Sequence, residues 1–95
     1  MVVSMIQVII ELPGVESIKE KRRIVNSMKE RLQRKFRISV AEIDLQESLG
    51  YSQIGAALIS NSRTYGESVM QKVLLFVEDE TPGRVQDVQI LSEIY

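Results

Sequence analysis

Neither cysteine nor histidine occurs among the 95 residues. Without cysteine the chain forms no disulfide and no thiolate metal site. Without histidine it lacks the commonest general base and the one side chain that titrates near neutrality when unperturbed. Zinc catalysis, Ser-His-Asp chemistry and Cys-His chemistry each lose a required member. Long apolar runs are missing too. The first fifteen residues are apolar, but Gln7 and Glu11 interrupt them and no basic stretch precedes them. They do not read as a signal peptide, and nothing approaches the 18 or so continuous apolar residues of a membrane span. The expectation is a soluble cytoplasmic protein with no membrane attachment.

What is present suits one domain spanning residues 1–95. A chain of this size buries roughly 60–65% of the surface that its unfolded form exposes, enough for a single modest core. The apolar content of 44% fits a globular protein rather than a disordered one. Charge is unevenly placed. Net charge is only −1, yet Ser17–Arg37 holds nine of the twelve Lys and Arg residues. From Glu16 to Arg37 the formal charge is +6, while residues 38–95 carry −6.

Hydrophobic period divides the chain into six elements. Val2–Leu12 is rich in Val and Ile and reads as a strand, with Val2, Ile6, Val8, Ile10 and Leu12 on its core face. Its other face is half apolar, which suggests a central strand whose far side is covered. Pro13-Gly14 ends the strand, and Ser17 with Glu20 supplies a capping box for a helix. Ile18, Val25, Met28, Leu32 and Phe36 form its apolar stripe. Lys21 falls in that stripe, where its methylenes can lie on the core while its ammonium reaches past the sheet edge. Ile38–Leu45 and Gln53–Ser60 read as strands joined by a turn. A second helix follows, capped by Thr64 with Glu67 or by Ser62, and runs to about Glu78. Val85–Ile94 is the last strand.

The order β-α-β-β-α-β, with a hairpin between the middle strands and a right-handed crossover through each helix, has one compact solution. It is an α+β, ferredoxin-like domain: a four-stranded antiparallel sheet, order 4-1-3-2, with both helices on one face. The opposite face has no helix to cover it. Val3, Met5, Ile9, Gly55 and Ala57 on that face are therefore candidates for a homodimer interface, in a protein-interaction or regulatory module.

The basic helix carries the strongest functional signal. Clustered Lys and Arg on a rigid element suit phosphate contact, with RNA as the foremost candidate. Lys19, Arg22, Arg23, Arg34 and Arg37 are the candidate phosphate ligands, with Lys29 and Arg31 assisting. The bland alternative is a solvated face that offsets an acidic body. Base stacking on the sheet is rejected, because Phe36, Tyr51, Tyr65, Phe76 and Tyr95 all lie away from the middle of the first and third strands. Glu42 and Asp44 alternate onto one strand face and could hold a hard cation, but carboxylates on an edge strand more often guard against aggregation. Ser60-Asn61-Ser62-Arg63 lies where a strand enters a helix, and capping is sufficient to explain it. No metal site, cofactor, small-molecule substrate or catalytic residue is indicated, so a non-enzymatic role is expected.

The sequence resembles the YlxP-like family, small bacterial proteins grouped as a domain of unknown function. The likeness spans essentially the whole chain. Its best marker is Ser17-Ile18-Lys19-Glu20-Lys21-Arg22, similar to the family's S-L-K-E-K-R. Ser39-Val40-Ala41-Glu42-Ile43-Asp44, Gln46 and Ser60-Asn61-Ser62-Arg63 support it. Glu47-Ser48-Leu49 departs from the Asp-aromatic pattern of many members. The resemblance implies a ferredoxin-like fold. It also implies a setting beside translation initiation and ribosome maturation factors, which makes a ribosomal subunit a candidate partner. It supplies no catalytic residue.

Overall fold

A computed structural model describes Met1–Tyr95. The elements are β1 (Val2–Glu11), α1 (Ile18–Phe36), β2 (Ser39–Asp44), β3 (Tyr51–Ser60), α2 (Arg63–Glu80) and β4 (Val85–Ile94). One antiparallel sheet has the order β2-β3-β1-β4, the expected arrangement. The third strand starts two residues earlier than its apolar run suggests. The ladder continues to Glu11 opposite Tyr51, and Leu12 N–H donates to Gly50 O at 2.7 Å.

Burial along β1 alternates strictly, as a sheet with one packed face requires. Ile6, Val8 and Ile10 point into the core with Leu12, where they meet Val25, Met28 and Leu32 of α1 and Met70, Val73 and Val77 of α2. Both helices thus share one core on one side of the sheet. Leu32 and Met70 are fully enclosed, and burial of each such side chain contributes roughly 1.5–3 kcal/mol. Small residues let α2 approach closely. A Cβ at Gly66 would overlap Ser4 Oγ, which is itself buried and bonded to Ser92 Oγ at 2.7 Å.

The helix ends follow capping rules. Ser17 Oγ accepts from Glu20 N–H at 3.1 Å, and Glu20 reaches back to Glu16 N–H. For α2 the cap is Ser62, which accepts from Tyr65 N–H at 3.2 Å. Thr64 lies inside the helix. Glu78, Asp79 and Glu80 crowd the negative end of α2, and Arg31 of α1 offsets this by bonding Glu80 at 2.6 Å.

Two bulges shape the sheet edges. One extra residue on β4 near Asp87, which has φ 52°, shifts the register against β1 between Gln7 and Ile9. On β2 the extra residue is Ile43, between Glu42 and Asp44.

Candidate nucleic-acid interface

Helix α1 sorts its cations by direction. Four residues per full turn and a fraction less bring Lys19, Arg23, Arg34 and Arg37 into a sector of about 60°, opposite the buried stripe of Val25, Met28 and Leu32. All four are exposed, as are Arg22 and Lys35, whereas Lys29 is half-buried. Arg22 and Lys29 lie on the flank away from α2. From Lys19 to Arg37 the axis advances about 27 Å, so the cations form a long stripe. Glu30 alone among the acids falls within the sector.

Two cations of α1 are engaged inside the molecule, and they are the only ion-paired Lys and Arg side chains in the structure: Lys21 with Glu42, and Arg31 with Glu80. Arg31 also lies 5.8 Å from the ring centre of Phe76, which packs edge-on to Phe36. Of the seven candidate phosphate ligands, six are therefore free of any carboxylate: Lys19, Arg22, Arg23, Lys29, Arg34 and Arg37. Arg31 is tied to α2. Lys35, which was not among the candidates, stands over Phe36 and Phe76 at 5.9 and 5.5 Å.

Arg37 ends the helix in the left-handed region, φ 53°, with its N–H donating to Gln33 O at 2.9 Å. Glycine is the usual occupant of such a position.

Lys21 departs from expectation. Its side chain does not reach past the sheet edge; it is 1% exposed. Its Nζ donates to the carbonyls of Leu45 and Ser48, contacts Gln46 O at 3.4 Å and lies 3.2 Å from Glu42 Oε2. The turn after β2 folds over the helix and converges its carbonyls on the ammonium, so burial replaces water with ligands. Glu42 accepts a further bond from Ser52 Oγ at 2.6 Å. Glu42 and Asp44 do not share a face. The bulge at Ile43 sends Glu42 toward the core beside Ile54, and sends Asp44 toward the open side beside Gln53. Asp44 caps Leu45 N–H at 2.7 Å. No group of three or more Asp and Glu residues is placed to hold a metal ion.

The Ser60–Arg63 segment is likewise occupied internally. Ser60 Oγ bonds both Ser62 N–H and Ser62 O, and Arg63 donates to Ser92 O at 3.3 Å. Along the Ser17–Arg22 motif, Ser17 and Glu20 cap and Lys21 clamps. Lys19 and Arg22 are the motif residues left facing solvent without a partner.

The open face of the sheet carries Val3, Met5 and Ile9 of β1 beside Gly55 and Ala57 of β3, as the alternation predicts. Met5 is paired with Ala57, and Ile43 lies over Gly55, whose missing side chain leaves it room. Together they border an open trough of about 300 Å³. The sole aromatic on β1 or β3 is Tyr51, at the very start of β3. No helix is long and apolar enough to cross a membrane.

Strand order, helix placement and connectivity define a ferredoxin-like α+β domain with one cationic helix. A solved structure agrees: a de novo designed protein with ferredoxin fold superposes with a TM-score of 0.50 over 98% of this chain and 83% of that chain, at 12% identity. A dimeric protein of unknown function and ferredoxin-like fold from Bacteroides fragilis NCTC 9343 superposes at 0.44, covering 98% of this chain and 96% of that one, at 14% identity. The chain belongs to the DUF503 family, described as proteins of unknown function, whose profile matches residues 3–90. It is 37% identical over 62 residues to the uncharacterized protein YlxP of Bacillus subtilis (strain 168), a match covering 65% of this chain and 67% of that protein.

Proposed function

We propose that this protein is a non-enzymatic, RNA-associated protein of the cytoplasm that grips phosphates through the outer face of α1. The observation that carries the reading is the stripe of unpaired cations. Lys19, Arg22, Arg23, Arg34 and Arg37 project from one rigid helix and meet no carboxylate of their own chain. A face that merely balanced the acidic body would be expected to pair with it, and only Arg31 and Lys21 do so. The stripe is also separated from the strands, none of which carries Lys or Arg. A polyanion therefore meets the molecule on one side only. The family's setting beside translation factors favours a structured RNA of the ribosome as the ligand.

The test is binding to structured RNA or ribosomal subunits across a salt series. With about four phosphate contacts, log affinity should fall against log salt with a slope of roughly −3 to −4. Reversing charge at Arg23 and Arg34 together should abolish binding. Affinity unchanged by that pair of substitutions would overturn the reading.

A further inference from the structure

We infer that a second copy of this chain covers the open face of the sheet. The inference rests on that face alone and is independent of the reading of α1.

One half of the face is largely apolar: Val3, Met5, Ala57, Ile59 and Leu91 stand side by side across β3, β1 and β4, with Glu93 beside Val3 at the outer end of β4. Ile59 is 67% and Leu91 48% exposed in the single chain. Across the middle runs a row of amides. Gln7 sits opposite Gln89 on β4 and accepts from Gln53 of β3 at 3.5 Å. No residue of any strand is Lys or Arg, and the acids of the face, Glu11, Asp44 and Glu93, stand at strand ends or on edge strands.

This composition selects the occupant. An anionic partner meets no cation here. A glutamine amide carries both donors and an acceptor, so a row of glutamines can pair with an identical row. The same patch on both partners is what a two-fold dimer requires. Three ten-residue strands roughly 33 Å long and the six-residue β2, roughly 20 Å long, at a spacing of about 4.8 Å, present about 570 Å² of flat face before side-chain relief is counted. A standard interface takes roughly 800 Å² from each partner.

The pattern also orients the axis. A two-fold parallel to the strands brings equal heights together, so the apolar half meets the apolar half and amide row meets amide row. A two-fold lying along the amide row would instead set Val3 against Glu11. The parallel axis is the one that keeps Glu11 away from Val3, while Glu93 stays at the outer end of β4. The trough between Met5 and Ile43, floored by Gly55, then receives side chains of the opposite copy.

Sedimentation velocity of the full chain from about 1 to 100 µM, a range where interfaces of this size associate, tests the inference. A dimer is expected. Gln53→Glu places two carboxylates at the seam, and Ala57→Glu places them in the apolar half. Each should weaken the dimer by more than about tenfold, because like charges are brought face to face. Circular dichroism confirms that each variant is folded. Should Ala57→Glu fail to fold, Gln53→Glu decides alone, since its side chain is already polar. A parent that stays monomeric throughout, or a dimer indifferent to both substitutions, would overturn the inference. So would a monomer that binds zwitterionic lipid vesicles and loses them on Ala57→Glu, which would assign the face to a membrane surface.

Discussion

Lys21 Nζ lies 3.2 Å from Glu42 Oε2, with the lysine side chain 1% and the glutamate 18% exposed. The pair ties the second turn of α1 to the edge strand β2, and the carbonyls of Leu45 and Ser48 complete the shell. Such a pair adds little net stability against an apolar replacement of both members, but removing one member strands the other. Lys21→Met should therefore lower unfolding free energy by about 3 kcal/mol. Adding Glu42→Gln should cost much less than its own single effect. Strictly additive losses in chemical denaturation would show that the two groups act separately.

Arg37 combines a strained backbone with a cation at the end of the stripe. Arg37→Gly relieves the left-handed conformation, which costs an L-residue roughly 1 kcal/mol. The variant should be as stable as the parent or more so, by up to about 1 kcal/mol, while its affinity for RNA falls. Opposite signs in the two measurements are the expected signature.

Arg31 and Arg34 lie three positions apart on one helix and border the same groove as Glu80, but only Arg31 is ion-paired with it. Arg31→Ala removes a half-exposed bridge to Glu80, so stability should drop by no more than about 1 kcal/mol. RNA affinity should hardly change. Arg34→Ala should do the reverse, weakening RNA binding with little effect on stability. Equal loss of affinity in the two variants would show that Glu80 does not withhold Arg31.

Gly66 and Gly50 offer a matched pair. A methyl at Gly66 runs into Ser4 Oγ and Cβ, whereas one at Gly50 meets nothing within 4 Å. Gly66→Ala should destabilise by about 2–3 kcal/mol. Gly50→Ala should stay within about 1 kcal/mol of the parent. Thermal unfolding of the two variants checks the contrast.

Periodicity made the six elements and their order legible, because each strand or helix buries one face in a single core. Local chemistry did the same for Ser17, whose cap depends on residues three positions apart. What was not legible depends on contacts distant in sequence. The stripe position of Lys21 is plain in the pattern, but its carbonyl ligands come from a turn more than twenty residues later. Glu42 and Asp44 alternate correctly on paper, and only the bulge at Ile43 separates them. Arg31 looks like its neighbours until α2 brings Glu80 beside it. The choice of Ser62 over Thr64 follows from Ser60, whose hydroxyl holds the Ser62 backbone as the strand turns into the helix.

The pairing of β4 with β1 sets the last-made strand against the first-made one, so that Met1 and Tyr95 exchange backbone hydrogen bonds at 3.1 and 2.7 Å. A chain emerging from its N-terminus can form the β2-β3 hairpin and lay β3 against β1 while still being synthesised. One edge of β1 must wait, unpaired, until residues 85–94 emerge. During that interval the central strand is an exposed apolar edge of the kind that invites pairing with other chains. The domain is therefore most vulnerable to misassembly just before synthesis of its final strand is complete.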